Sequence, residues 1–340
     1  MKTMSRWLSS LGAVVGFAAL TVQGASAQGV SAQGVVYSQF QYQLADSANH
    51  ANAFDVKRAY LDFKKTFDGG IQTRVTADLY RDSNGSLNYR LKYAYFAWTP
   101  ENSPLTLKFG QLHTPWLDWE EGLWDYRMQG TMPLERAGYV TSSDLGAGVD
   151  GAWGQQKFNM QFVIMNGEGY HGAEGDQHKD VGFRGSLRLL SSDDGGSRGG
   201  LRVTGLAQFG ATVGGGTRNR TLGMLSYKSK MYTLAGQLAR VTNSATSADP
   251  DVKASVMSVY GVAKVPDSKV AFLARLDRTD PNVDASNDKQ TRFIGGVSYQ
   301  LSPQVRLLLD LDHVSYEGGA PSASAAAQRS TMLFQTQFVF

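Results

Sequence analysis

A chain of 340 residues with no cysteine and a net charge of +3 excludes a disulfide-stapled small domain and shows no overall bias toward nucleic acid. Its mean hydropathy of −0.29 excludes a bundle of membrane helices but not a membrane barrel, whose alternating strands hide their apolar content in the average. Any electrostatic function must therefore come from where side chains point rather than from their sum.

Lys2 and Arg6 precede an apolar run from Trp7 to Val22 and then Ala25, Ser26 and Ala27, which reads as a secretory signal peptide over residues 1–27, cleaved before Gln28. The run is too short for a spanning helix, which needs roughly 20 apolar residues. A second possible cut follows Ala32, because Ser26–Val30 is repeated as Ser31–Val35. Export without cysteine requires another means of holding the fold together, and a closed hydrogen-bonded barrel over 28–340 is one.

From residue 34 onward, segments with period-two alternation recur between Gly, Pro, Asn and Asp turns. Ile71, Val75, Ala77 and Leu79 fall on one face, Gln72, Arg74, Thr76 and Asp78 on the other. Strands are predicted over 34–44, 54–67, 70–81, 87–99, 104–111, 144–154, 156–166, 179–190, 200–210, 219–228, 230–242, 252–265, 268–278, 290–301, 304–315 and 328–340. Tight turns alternate with longer links, 191–199 being the exception, as in a transmembrane barrel with short periplasmic turns and long external loops. A soluble β-sandwich also alternates, but it has no reason to lengthen every second link. The fold expected is all-β: a 16-stranded antiparallel transmembrane β-barrel in the bacterial outer membrane, with outer-membrane lipid around it. Met332, Phe334, Phe338 and Phe340 share a face of the last strand, and Phe338 with the terminal Phe340 resembles the signal read by the outer-membrane assembly machinery.

The polar faces carry Arg58, Lys64, Arg74, Arg90, Lys92, Lys108, Arg184, Arg188, Arg202, Arg275, Arg292 and Arg306 against Asp62, Asp78, Asp277, Asp310 and Asp312. Fixed charge along a pore selects ions, so an electropositive wall is expected, with Arg58, Lys64, Arg74, Arg90, Lys92 and Lys108 as one patch on neighbouring strands. Taken singly, each reads better as solvated filler paired with a nearby acid, and it is the collective bias that points to a charged wall.

The link 112–143 far exceeds the others and contains Trp116, Trp119, Trp124, the acids Asp118, Glu120, Glu121 and Asp125, and the bases Arg127 and Arg136. Three tryptophans are costly to show to water, so this third loop is expected to fold into the lumen. Asp118, Glu120 and Glu121 would then oppose the basic wall. An external partner-binding surface is the alternative, making the barrel an adhesin or surface receptor. The loop acids lack calcium-loop spacing; His171, Glu174, Asp176 and His178 in the link 167–178 could grip a divalent cation, but polar loops look like this by default. No metal or cofactor is expected.

Catalytic sets are sparse. His313, Ser315 and Asp310 form the nearest cluster, yet strand rise sets His313 and Ser315 about 7 Å apart. There is no Gly-x-Ser-x-Gly elbow, and Gly214–Gly216 lacks the Lys-Ser/Thr of a phosphate loop. The chain is not expected to be an enzyme.

Phe54–Leu61, Leu91–Tyr95 and Phe109–Trp116, followed in order by Met132–Arg136, Asp144–Gly146, Met165–Gly169 and Lys179–Val181, resemble the phosphate-selective porin O and P family. The resemblance covers most of the mature chain and is strongest over 54–190. It implies a sixteen-stranded homotrimer with the third loop folded inward as the constriction. The acid-rich third loop, with no lysine over 112–143, departs from the dense lysines and arginines of the anion-selective members. The expected function is passive diffusion of small hydrophilic or anionic solutes with a mild anion preference.

Overall fold

Period-two alternation becomes a continuous sheet in a computed structural model that describes residues 29–82 and 84–340. The expected signal peptide, 1–27, lies outside the described residues. The strands are β1 (Val30–Gln43), β2 (Asn52–Phe67), β3 (Ile71–Arg81), β4 (Leu87–Trp98), β5 (Leu105–His113), β6 (Ser143–Trp153), β7 (Phe158–Met165) and β8 (Asp180–Leu190). They continue as β9 (Gly200–Phe209), β10 (Arg218–Lys228), β11 (Tyr232–Asn243), β12 (Val252–Lys264), β13 (Val270–Asp280), β14 (Gln290–Gln300), β15 (Val305–Tyr316) and β16 (Ser330–Val339). Each pairs antiparallel with its sequence neighbours, and β1 pairs with β16 to close the ring. Closure leaves no edge whose peptide groups would face hydrocarbon unpaired.

The predicted strands agree with these bounds to within a few residues. The largest difference is the start of β1, at Val30 rather than 34, where Ser31, Ala32 and Gln33 pair with Lys64, Phe63 and Asp62. Small and polar residues there show no alternation, so the sequence pattern is silent although the ladder continues. Elsewhere the faces separate cleanly. In β13, Leu273, Arg275 and Asp277 are buried inward while Phe272 and Leu276 are exposed outward, and Leu234, Leu238, Val259 and Leu309 continue the outer apolar surface.

The seam runs between β1 and Phe340. Gly34 N–H donates to the Phe340 carbonyl at 2.8 Å, and Phe340 N–H donates back to the Gly34 carbonyl at 3.0 Å. The Phe340 ring lies over Gly34 so closely that a Cβ there would sit 2.2 Å from its Cζ, and a side chain at 34 would push the ring aside. Phe338 and Phe340 both remain exposed on the outer surface.

The apolar core of this barrel is inside the ring. The connection between β5 and β6 forms helices α1 (Leu117–Trp124) and α2 (Pro133–Arg136). In α1, Leu117, Glu120 and Trp124 recur at helical spacing on the buried face. Asp125, in the left-handed conformation that Asp tolerates better than most, ends the helix. Trp116, Leu117, Leu123, Trp124, Met132 and Leu134 pack with inward residues of the far wall, among them Val256, Tyr260, Leu273, Ile294 and Leu308. Cross-lumen hydrogen bonds fix the segment: Tyr126 to Ser298 (2.7 Å), Gln129 to Asp310 (3.3 Å), and Gln335 to the Met128 carbonyl (2.9 Å). A third helix, α3 (Ala323–Gln328), capped by Ser322, lies in the β15–β16 link, where the sequence pattern predicts none.

Candidate functional site in the barrel lumen

With the β5–β6 segment packed against the far wall, open space remains beside β1–β4 and, across the seam, β14–β16. A cavity of about 690 Å³ at the long-loop end is lined by Tyr37, Gln39, Arg58, Arg90, Met128 and others. A smaller one of about 210 Å³, toward the short-turn end, is lined by Tyr60, Asp62, Arg74, Lys92, Tyr93, Asp118 and Glu121. Tyr37 and Arg127 belong to the first, Tyr60 and Glu121 to the second. Tyr37 meets Tyr60 edge-on at 6.2 Å, and Arg127 Nε lies 2.6 Å from Glu121, so these four residues form a waist between the cavities.

A bulge places Lys92. In the β3–β4 ladder Thr76 pairs with Tyr93 and Ala77 with Leu91, leaving Lys92 as the extra residue. A bulge re-aims side chains, and here Lys92 and Tyr93 are both buried. The Lys92 ammonium lies 3.3 Å from the Tyr60 hydroxyl and 4.5 Å from the Tyr60 ring centre. It has no carboxylate partner among the described residues.

The other members of the expected basic patch are not free charges. Arg58 and Arg90 both bind Asp78, at 2.9 and 3.1 Å, and Asp78 is wholly buried behind them. Arg74 and Lys64 share Asp62, each at 2.7 Å. Lys108 pairs with Asp150 on β6. Of the three loop acids expected to oppose that wall, Asp118 and Glu121 line the smaller cavity with Arg74 and Lys92, and only Glu120 needs correction. Asp118 also binds Arg198 at 3.0 Å, and Glu121 is spent on Arg127 of its own loop. Glu120 faces away altogether, wholly buried, accepting from Trp116 Nε1 (2.9 Å) and from Gln237 of β11. Burial pushes the Glu120 carboxyl up to about 8. Asp125 reaches Arg306 at 3.4 Å, and Arg136 reaches Asp277 at 3.4 Å. A barrel wall satisfies charge by cross-strand neighbours first, and only what those leave over can act at a distance.

What is left over is positional. The larger cavity is lined by Lys57, Arg58, Arg81, Arg90, Arg127, Arg136 and Arg292, with Asp312 the single carboxylate on its surface. Arg58 and Arg90 line this cavity while the acid that balances them, Asp78, is buried and off its surface; Asp312, paired with Arg292, shares the surface.

The lumen also holds a latch that the sequence does not announce. Tyr170, from the β7–β8 loop, donates to Asp78 at 3.1 Å, and His171 Nδ1 lies 2.6 Å from Arg90. Loop residues carry no periodicity, so no signal in the sequence links position 170 to 78. Glu174 binds Lys179 at 3.1 Å, and no group of three or more potential ligands among the described residues could hold a metal. His313 lies 3.2 Å from Ser315, nearer than strand rise suggests, because the two side chains lean together. Its other nitrogen meets Ser330 at 2.6 Å, and Asp310 is held by Gln129 instead, so among the described residues no carboxylate orients the imidazole.

The sequence pattern of the family described as phosphate-selective porin O and P matches residues 30–264. No curated protein matches the chain at a significant level. Among solved structures, the anion-selective porin of Comamonas acidovorans is similar with a TM-score of 0.67 at 12% identity, covering 92% of this chain and 99% of that one. Salmonella typhi OmpF, in a complex with daunomycin, gives 0.67 at 12% identity, with 92% and 97% covered. OmpT of Vibrio cholerae in its trimer form gives 0.65 at 11% identity, with 92% and 99% covered. At these identities the likeness is one of fold.

Proposed function

The chain belongs to the phosphate-selective porin O and P family, and on that premise we propose that it is a homotrimeric diffusion pore with a mild preference for small anions. Family and barrel together make it an outer-membrane porin. The anion preference is supported by one observation above all, the seven cationic side chains against one carboxylate around the larger cavity. An ion entering that cavity from the long-loop end, which we take as the external side, is surrounded by these cations with one carboxylate among them. The trimer is supported by the trimeric form of OmpT. Cleavage after Ala27 rather than Ala32 is supported by the pairing of Val30–Ala32 in β1.

The test is planar-bilayer recording under a potassium chloride gradient. The reversal potential is expected on the chloride side; a potassium-side value overturns the preference, and absence of conductance overturns the pore. Deleting 116–130 removes most of the packed segment, so conductance should rise. A surface receptor would instead lose partner binding with its conductance unchanged.

A further inference from the structure

Beneath α1, at the short-turn end, lies a third cavity of about 270 Å³, lined by Lys108, Asp118, Trp119, Asp150, Arg184 and Arg198 among others. Its charges pair off unevenly. Lys108 is matched by Asp150, and Arg198 by Asp118 at 3.0 Å. Arg184, on β8, is buried, and its one bonded nitrogen, Nη1, donates to the neutral side-chain amide oxygen Oδ1 of Asn159 at 2.8 Å. Among the described residues no carboxylate pairs with it. One guanidinium charge on the cavity is uncompensated.

Two buried donors on this cavity also lack acceptors among the described residues, Arg184 Nε and the Trp119 indole Nε1. They belong together: Arg184 Cζ lies 4.3 Å from the centre of the Trp119 ring. Arg202, 5.9 Å from the same ring centre, is spent on the Gly199 and Gln156 backbone carbonyls. A buried N–H without a partner costs free energy until some acceptor fills it.

We propose that this cavity is a binding site for a small monocarboxylate. With Nη1 alone bonded, the Nε and Nη2 edge of Arg184 is the pair of parallel donors that a planar carboxylate takes side-on. One unmatched positive charge calls for one negative charge. A doubly charged oxyanion would set its second charge against Asp118 and Asp150, which line the same space. Pro104, Ala152 and Met160 line the cavity as well and suit a short apolar tail. The volume lies just below the usual ligand range of roughly 300–1,000 Å³. The site's place on a permeation route rests on the pore reading; its occupancy does not.

Butyrate is the probe, with inorganic phosphate as comparison. In bilayers, butyrate added on the short-turn side is expected to lower the chloride conductance saturably. R184Q should need about tenfold more for the same block, the cost of losing a charge-assisted hydrogen bond. Independently, butyrate titrated into the folded barrel in detergent should shift the tryptophan emission, and the shift should vanish in W119F and weaken in R184Q. Heat-modifiable gel mobility checks that each variant is folded. A fluorescence shift without any conductance leaves the site standing and overturns the pore. Equal butyrate response in wild type and R184Q, or none in either, means that water fills the cavity and overturns the site. Phosphate acting as strongly as butyrate overturns the ligand class.

Discussion

Replacing Glu120 by glutamine tests whether the segment inside the barrel is seated by a neutral acid. Glu120 is wholly buried, and desolvation raises its carboxyl from 4.5 to about 8, while the same group on an unseated loop in water titrates normally. A value raised in the seated state means that its stability is complete below pH 4.5 and is lost as pH climbs through 8. At about 1.36 kcal/mol per tenfold in proton affinity, ionisation costs the seated loop about 3 kcal/mol at pH 7 and about 5 kcal/mol above pH 8. The amide introduced by E120Q escapes this while keeping the bonds. Its carbonyl can accept from Trp116 Nε1, and its amide nitrogen can donate to Gln237 once that side chain turns to present Oε1, which is buried and without a donor. The readouts are tryptophan emission and open-channel current noise at pH 5, 7 and 9. Wild type should loosen with rising pH, with red-shifted emission and growing noise, and E120Q should stay flat. The same pH profile in both proteins would refute the reasoning.

D78N removes the one charge behind Arg58, Arg90 and the Tyr170 hydroxyl while preserving shape. The reversal potential should move further to the chloride side, and an unmoved value would show that these arginines do not face the permeating ion. His171 sets a pH dependence of opposite sense. Desolvation, then Arg90 and Arg58, hold its imidazole below the ordinary 6.5, with Asp78 and Glu135 opposing. The latch is therefore intact above that pH and weakens as pH falls below it. Conductance fluctuations should rise between pH 7.5 and 5 in wild type but not in H171Q, and protease access to the 167–178 loop gives the same comparison without current.

The ring was legible because lipid on one side and water on the other force alternation on every strand, as in β3, where Val75 faces out and Arg74 and Thr76 face in. The buried loop was legible from its length and tryptophans alone: Trp116, Trp119 and Trp124 needed somewhere dry. Charge partners were not. Asp150 occupies an inward position of β6, but its match to Lys108 depends on a cross-strand register that turn lengths set only approximately. Glu120 and Glu121 look alike in sequence, and adjacent helix positions point about 100° apart, so one meets Gln237 and the other Arg127. The bulge at Lys92 inserts one residue without any glycine or proline to announce it.

The seam between Gly34 and Phe340 also sets the order of assembly. Gln39 and Gln335, bonded across it at 3.0 Å, are 296 positions apart, whereas every other neighbouring pair of strands is consecutive in the chain. Loop-closure entropy makes such a contact the slowest to form, so hairpins zip in sequence and the ring shuts last. A chain interrupted before β16 keeps two raw sheet edges that hydrocarbon does not tolerate. Such a chain is an unfinished ribbon left for proteolysis, and the membrane is spared a hole that leaks before its constriction is complete.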